Sequence, residues 1–477
     1  MLPCNRSMSA PVAKGGGSSR SGLSGAAASF AAVAVGLILT IAPGKAHAFC
    51  GFYVSQADAK LFNKASQVVL ARDGDRTVLT MANDFKGDVK EFAIVVPVPT
   101  VLEKEQIHIG EKAWVDHLDK YSAPRLVEYH DPDPCAIVTA QEMLNVRGGR
   151  AGMAALKSFS AADAASGVVI EASYTIGEYD ILILSARESS GLITWLKQND
   201  YRVPEKGARV LNAYIKQGLK FFVAKVNLKE QAKLGFESLR PIQIAYESPR
   251  FMLPIRLGMT NADGAQELLL FTLTRKGRVE PVNYRLVKLP TDVEVPLFVR
   301  EDFGPFYKAL FDRQVAKEGM RTVFLEYAWN ASWCDPCPTN PPTPDELANL
   351  GAAWIVDPSR GSGRGGPSDQ VFVTRLHARY DAASFPEDLA LQETANLETF
   401  QGRYILRNPF RGDCSCDEGQ KYRTQLLERR AAQRKAVVEL TGWSDANVRG
   451  RMAKGGDAYL PAVATGPQKW WNNLWKR

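Results

Sequence analysis

Five prolines fall between residues 336 and 344, in "WCDPCPTNPPTP", and they forbid a helix from running on after Trp333-Cys334-Asp335-Pro336-Cys337. Proline past a helix's first turn removes a backbone donor and clashes with the carbonyl four residues back, at about 3 kcal/mol each. That constraint sorts the readings of the W-C-x-x-C motif. A redox-active C-x-x-C owes its acidic thiol to a helix N-terminus, where the dipole stabilises thiolate. The pattern lets the next helix start only at Asp345, and Asp335 between the cysteines opposes a thiolate by like charge. The region also lacks the β-α-β order of a thioredoxin-type fold. A thiol–disulfide oxidoreductase using Cys334 and Cys337 is therefore the alternative reading, not the leading one.

What the cysteines do depends on the compartment. Residues 1–48 read as an export signal: Arg6, Lys14 and Arg20 lead into an uncharged stretch from Ser21 to Gly44. Pro43-Gly44 then precede Ala46-His47-Ala48, a small-x-small cleavage site, so the mature chain is expected to begin at Phe49. The alternative is an uncleaved membrane anchor, since a stretch of that length spans a bilayer. Both place the chain outside the cytoplasm, in the periplasm or secreted.

Cys4 leaves with the leader, and six cysteines remain: Cys50, Cys135, Cys334, Cys337, Cys414 and Cys416. An even set in an oxidising compartment reads as disulfides. A bond within Cys414-Ser415-Cys416 is a strained small ring, which favours cross-pairing of Cys334 or Cys337 with Cys414 or Cys416. Such a bond closes about eighty residues and contributes about 4 kcal/mol through the unfolded state. Cys50 and Cys135 then pair by elimination. The competing reading is metal: C-x-x-C with C-x-C makes Cys334, Cys337, Cys414 and Cys416 a tetrathiolate zinc site, with zinc as the cofactor.

The formal charge of +7 misleads, because the leader carries four positive charges and no negative, leaving +3. Residues 420–477 hold a local +8, so 49–419 stand at −5. A slightly acidic body does not present a nucleic-acid face. The basic tail carries Trp470, Trp471 and Trp475 in "KWWNNLWKR", which suits peripheral contact with a membrane interface or a partner surface, or a groove of its own domain.

Periodicity predicts an α+β chain dominated by antiparallel strands. "SQVVLA" and "RTVLTMA" flank Arg72-Asp73-Gly74-Asp75 as a hairpin, followed by "EFAIVVPVP". Trp114, Leu118 and Tyr121 share one helical face. Residues 140–166 read as a surface excursion. The pair "GVVIEASYTI" and "YDILILSA" precedes a short helix with Leu192, Trp195 and Leu196 inward, and a helix near 205–217 leads into "LKFFVAKVNL". "PIQIAYE", "RFMLPIRLG", "ELLLFTLTR" and "RVEPVNYRL" read as strands, the last two joined by a tight Lys276-Gly277 hairpin. A helix at "DFGPFYKALFDRQVA", strands at "TVFLEYAW", "VFVTRLHARY" and "TFQGRYILRNPF", and a helix over about 418–441 complete the reading. The segments are 49–186, an N-terminal β-rich domain; 187–299, a central α+β domain; 300–416, the cysteine-motif β region; and 417–477, a basic helix with the Trp-rich tail.

Catalytic signatures are absent from the sequence. There is no G-x-S-x-G, no Walker A and no H-E-x-x-H, and no two of His108, His117, His130 and His377 have metal-ligand spacing. His130-Asp131-Pro132-Asp133 offers a cation three ligands but reads first as a turn. Several long strings together, "FCGFYVSQADAKLFNKASQVVLARDGDRTVLTMANDFKG", "APRLVEYHDPDPC", "LRPIQIAYES", "EYAWNASWCDPC" and "FQGRYILRNPF", resemble the bacterial family filed as domain of unknown function 2330. The likeness runs from about Phe49 to about Trp443. It implies a bacterial, extracytoplasmic protein and carries over no catalytic residue. The leading expectation is a non-enzymatic, disulfide-stabilised envelope protein that binds a partner or surface.

Overall fold

The computed structural model describes residues 52–55, 62–86, 92–136, 168–198, 207–227, 230, 239–262, 264–355 and 367–459. The leader, Cys50, the 140–166 excursion and the Trp470–Trp475 tail lie outside these residues.

Two sheets and two helical layers stack in the order helix, sheet, sheet, helix. The smaller sheet runs β1 (Phe52–Ser55), β4 (Phe92–Val98), β9 (Lys220–Val226), β8 (Tyr179–Ser185) and β7 (Val169–Ile176), all antiparallel. The larger is built around the hairpin of β2 (Phe62–Asp73) and β3 (Arg76–Lys86), whose turn is made by Gly74 at φ +61°. Left-handed backbone is where glycine is free of the Cβ penalty. β3 pairs with β10 (Ile242–Glu247), and β10 with β5 (Ile107–Ile109). On its other edge β2 pairs in parallel with β12 (Gln266–Thr274). β17 (Phe372–Tyr380), β16 (Thr322–Asn330) and β14 (Arg285–Lys288) continue the sheet to nine strands, with β19 (Phe400–Gln401) on β16.

The period of two assigns each face. Val68 and Leu70 of β2 point between the sheets, against Ile94 and Val96 of β4 and Phe222 of β9. Val69 and Ala71 point the other way, against Val115, Leu118 and Tyr121 of α1 (Lys112–Ser122). The outer face of the smaller sheet is covered by Leu192 and Leu196 of α2 (Ser189–Gln198) and Leu211 and Tyr214 of α3 (Gly207–Lys216). A third core joins Phe306, Leu310 and Phe311 of α4 (Phe303–Lys317) to Val437 of a long helix, Asp417–Thr441, and Val448 of a short one, Asp445–Lys454. With α5 (Pro344–Asn349) before them, these last two are α6 and α7. Two small sheets complete the fold: β15 (Val293–Val295), β20 (Arg403–Asn408) and β6 (Arg125–His130) pair in parallel, and β11 (Met252–Leu253), β18 (Leu389–Glu393) and β13 (Val279–Pro281) antiparallel.

The α+β class with mostly antiparallel sheets is thus as the periodicity predicts. Lys45–Arg477 is one compact unit, and the nine-stranded sheet draws strands from three of the four expected segments. Two strand expectations are corrected. "RFMLPIRLG" yields only the two-residue β11, since Pro254 follows and removes a ladder donor. The Lys276-Gly277 hairpin does not form, because β17 and β2 already occupy both edges of β12. "RVEPVNYRL" instead splits into β13 and β14, which join different sheets.

Candidate functional site

β16 delivers the W-C-D-P-C loop. At its end Asn330 Oδ1 accepts from the Ser332 amide at 2.9 Å, and the Ala331 amide donates to the Val371 carbonyl at 2.8 Å. Three carbonyls of the loop backbone are then gripped by side chains from other elements. Tyr121 Oη donates to the Trp333 carbonyl at 3.0 Å, Arg125 Nη1 to the Pro336 carbonyl at 2.8 Å, and Arg403 Nη1 to the Asp335 carbonyl at 3.3 Å. Arg125 is itself fixed, donating from Nη2 to the Tyr121 carbonyl at 2.5 Å, and burial pulls its guanidinium down to about 10. Downstream, His117 bridges the Glu346 carboxylate at 2.8 Å and the Asn340 carbonyl at 3.0 Å, while Thr343 and Glu346 form the capping box of α5.

The loop is closed by a disulfide between Cys334, which is buried, and Cys337, which is exposed. Beside it Trp333 stands 58% exposed, with its indole meeting the edge of the half-buried Trp329 at 5.5 Å and 69°. No helix starts at either cysteine: the first one downstream is α5, at Pro344, one residue before the expected Asp345.

The second cysteine group lies just beyond the end of β6 and just before the start of α6. Cys135 is bonded to Cys416, and Cys414 is a free, buried thiol. The expected cross-pairing of Cys334 or Cys337 with Cys414 or Cys416 is therefore corrected, as is a Cys50–Cys135 bond. Spacing along the chain gave no hint that parallel pairing of β6 with β20 carries Cys135 to the start of α6. The tetrathiolate zinc reading fails for the same reason. Cys334, Cys337 and Cys416 are spent in disulfides, and among the described residues no three His, Cys, Asp or Glu side chains are placed to hold a metal.

His130, Asp131 and Asp133 do not converge either. Asp131 is taken by Arg429 of α6, Nη1 to Oδ1 at 3.1 Å, and by Tyr422 Oη at 2.6 Å, while Asp133 accepts from the Cys135 amide at 2.8 Å. Asp131 is a fastening between the end of β6 and α6.

A third feature was missed from sequence. The register of β16 on β17 shifts between Leu325 and Tyr327, so Glu326 is the extra residue of a β-bulge. A bulge re-aims a side chain, and here both Glu326 and Tyr327 face the helical layer while Leu325 faces the sheet sandwich. Glu326 is fully buried, yet Arg375 Nε lies 2.5 Å and His377 Nδ1 2.6 Å from its carboxylate, and Tyr307 Oη donates to it. The His377 ring stacks on Phe311 at 3.7 Å, and its other nitrogen lies 3.8 Å from Glu267. Arg375 reaches Asp119 and Arg379 reaches Asp312 at 2.8 Å, carrying the network outward. Burial alone would raise the Glu326 carboxyl, but His377 and Arg375 outweigh it and hold it at about 2. Burial would likewise lower His377, but Glu326 and Glu267 win and raise it. The network rivets the strand that carries the loop. A cleft of about 510 Å³ elsewhere, lined by Val78, Tyr246 and Trp354, has Arg76 and Glu247 paired across its rim at 3.0 Å.

These features define a disulfide-bonded α+β protein with a rigid, aromatic-bearing loop and a buried ion network behind it. No curated protein and no solved structure matches the chain. The chain belongs to the family described as an uncharacterized protein conserved in bacteria (DUF2330), whose model matches residues 44–392. The match stops short of "FQGRYILRNPF" and of Cys414 and Cys416, which the resemblance in sequence had included.

Proposed function

We propose that this chain is an exported bacterial envelope protein that engages a partner at the Trp333 loop. The observation that carries the reading is an indole 58% exposed on backbone held at three carbonyls and closed by a disulfide. An exposed, pre-ordered tryptophan forfeits little side-chain freedom on binding, which is why such residues dominate interface energetics. Export is supported by the leader-like residues 1–48 and by two disulfides, which persist in oxidising compartments.

The test is co-sedimentation of the purified chain with washed cell envelopes of a bacterium carrying the protein. Trp333→Ala is expected to weaken retention about 30-fold, the equivalent of about 2 kcal/mol for a hot-spot tryptophan, with an unchanged melting curve. Equal retention of the two proteins refutes the loop as the contact. N-terminal sequencing of the exported protein, expected to start at Phe49, tests the leader separately.

A further inference from the structure

The criterion that fails at Cys334 is met elsewhere in the molecule. Cys416 is the N-cap of α6, a 25-residue helix, and its Sγ accepts from the Gly419 amide at 3.2 Å. Its disulfide partner Cys135 is half-buried and lies with Sγ 3.9 Å from the carbonyl of Asp413, the residue joined to Cys414. Cys414 is a third sulfur, unbonded and buried, two positions from Cys416. The first turn of α6 is pressed onto it: a Cβ at Gly419 would sit 2.4 Å from the Cys414 carbonyl oxygen.

We propose that Cys135, Cys416 and Cys414 form a thiol–disulfide exchange centre whose substrates are peptide or small-molecule thiols. The inference goes beyond binding at the Trp333 loop and stands without it. An external thiolate attacks Cys135 Sγ; the Cys135–Cys416 bond breaks and its electron pair leaves on Cys416, as a thiolate facing the Gly419 amide and the positive end of α6. A second thiol of a dithiol substrate then attacks the mixed disulfide. The substrate becomes a disulfide, Cys135 leaves as thiolate, and the protein has taken up two electrons and, after protonation, two protons. Alternatively Cys414 thiolate attacks Cys135 Sγ and expels the external thiolate, giving Cys135–Cys414 with no net redox change. Burial, Asp133 and Asp413 raise the Cys414 thiol, which makes Cys414 a poorer leaving group than an ordinary thiol once it is bonded to Cys135. Asp417 and Glu418 in the first turn oppose the Cys416 thiolate, against the dipole and the amide.

The test maps disulfides by mass spectrometry, without reduction, on the purified exported chain before and after equilibration in a reduced/oxidised glutathione buffer at pH 8. Expected at the start are Cys135–Cys416 and an alkylatable Cys414; expected afterwards are Cys135–Cys414 and glutathione on Cys135. In a second arm, a chain with Cys334→Ser and Cys337→Ser oxidises a reduced Cys-x-x-Cys peptide, and adding Cys416→Ser slows this at least tenfold. Glutathione exchange without peptide oxidation assigns the substrates to small thiols. Cys414 found bonded to Cys50, or a Cys135–Cys416 bond unmoved by glutathione while the fold stays native, overturns the proposal, and the mapping of the unaltered chain decides even if the Cys416 variant does not fold.

Discussion

Replacing Glu326 by glutamine tests whether the buried network rivets β16. The change keeps size and one acceptor but removes the charge facing Arg375 and His377, both almost fully buried. Arg375 is left with Asp119, at the half-buried outer end of the network. Breaking one partner of a buried, hydrogen-bonded charge pair costs about 3–5 kcal/mol, because the surviving charge is uncompensated. For a compact unit spanning Lys45–Arg477, unfolding entropy of about 2.1 cal/mol/K per residue gives about 0.9 kcal/mol/K, so calorimetry at pH 7 should show Tm lower by about 3–6 °C. Acid supplies an internal control. The Glu326 carboxyl is held at about 2, so its contribution is full above the ordinary value near 4.5 and is lost as pH falls toward 2. That contribution is about 3 kcal/mol, and the gap between parent and variant should close over the same window. A Tm change under about 1 °C at pH 7, or a gap that persists unchanged at pH 3, refutes the reasoning.

His377 has the opposite sign: its pKa is raised, so its stabilisation is complete below about 6.5 and fades as pH climbs through the folded value. His377→Gln should therefore narrow the difference in urea midpoint between pH 6 and pH 9, and an unaltered difference counts against the pairing with Glu326 and Glu267. Removing the Cys135–Cys416 bond, with a sequence separation of 281, should cost up to about 6 kcal/mol by the chain-entropy relation, against about 2 kcal/mol for Cys334–Cys337 at a separation of 3. Guanidinium midpoints of the two serine pairs rank them, and the reverse order refutes the connectivity. Gly419→Ala should lose about 1–3 kcal/mol by overpacking against the Cys414 carbonyl, read as a lower Tm with the far-UV spectrum unchanged.

Local pattern carried much of the architecture. The β2–β3 hairpin, α1, β12, β16 and β17 are legible because their apolar residues repeat at two or near 3.6, and each repeat matches a buried face. The misses share a cause: partners far apart in the chain decide them. β13 and β14 part company because the sheet edges they join are made by β18 and β16. Cys135 finds Cys416 through parallel strands that no spacing rule encodes. The role of Glu326 was hidden because a charged residue in "TVFLEYAW" reads as the solvent side of a strand, whereas α4 packs over that face beside Phe324 and Tyr307 reaches Glu326 from it. One local signal does mark the site: Asp417-Glu418 opening a long helical pattern after Cys416 is the acidic first turn of a capped N-terminus.

The parallel seam between β2 and β12 bears on how the protein comes into being. Register partners Val68 and Leu270 are about two hundred residues apart, so an early hairpin must wait for a late strand. A nascent chain ending before residue 266 shows β2 with one flank of hydrogen-bonding groups unclaimed, a template for sticking to its own kind. Synthesis of this polypeptide thus favours a holding chaperone over spontaneous stepwise assembly, and truncations made upstream of β12 should pellet as aggregates instead of yielding a smaller domain.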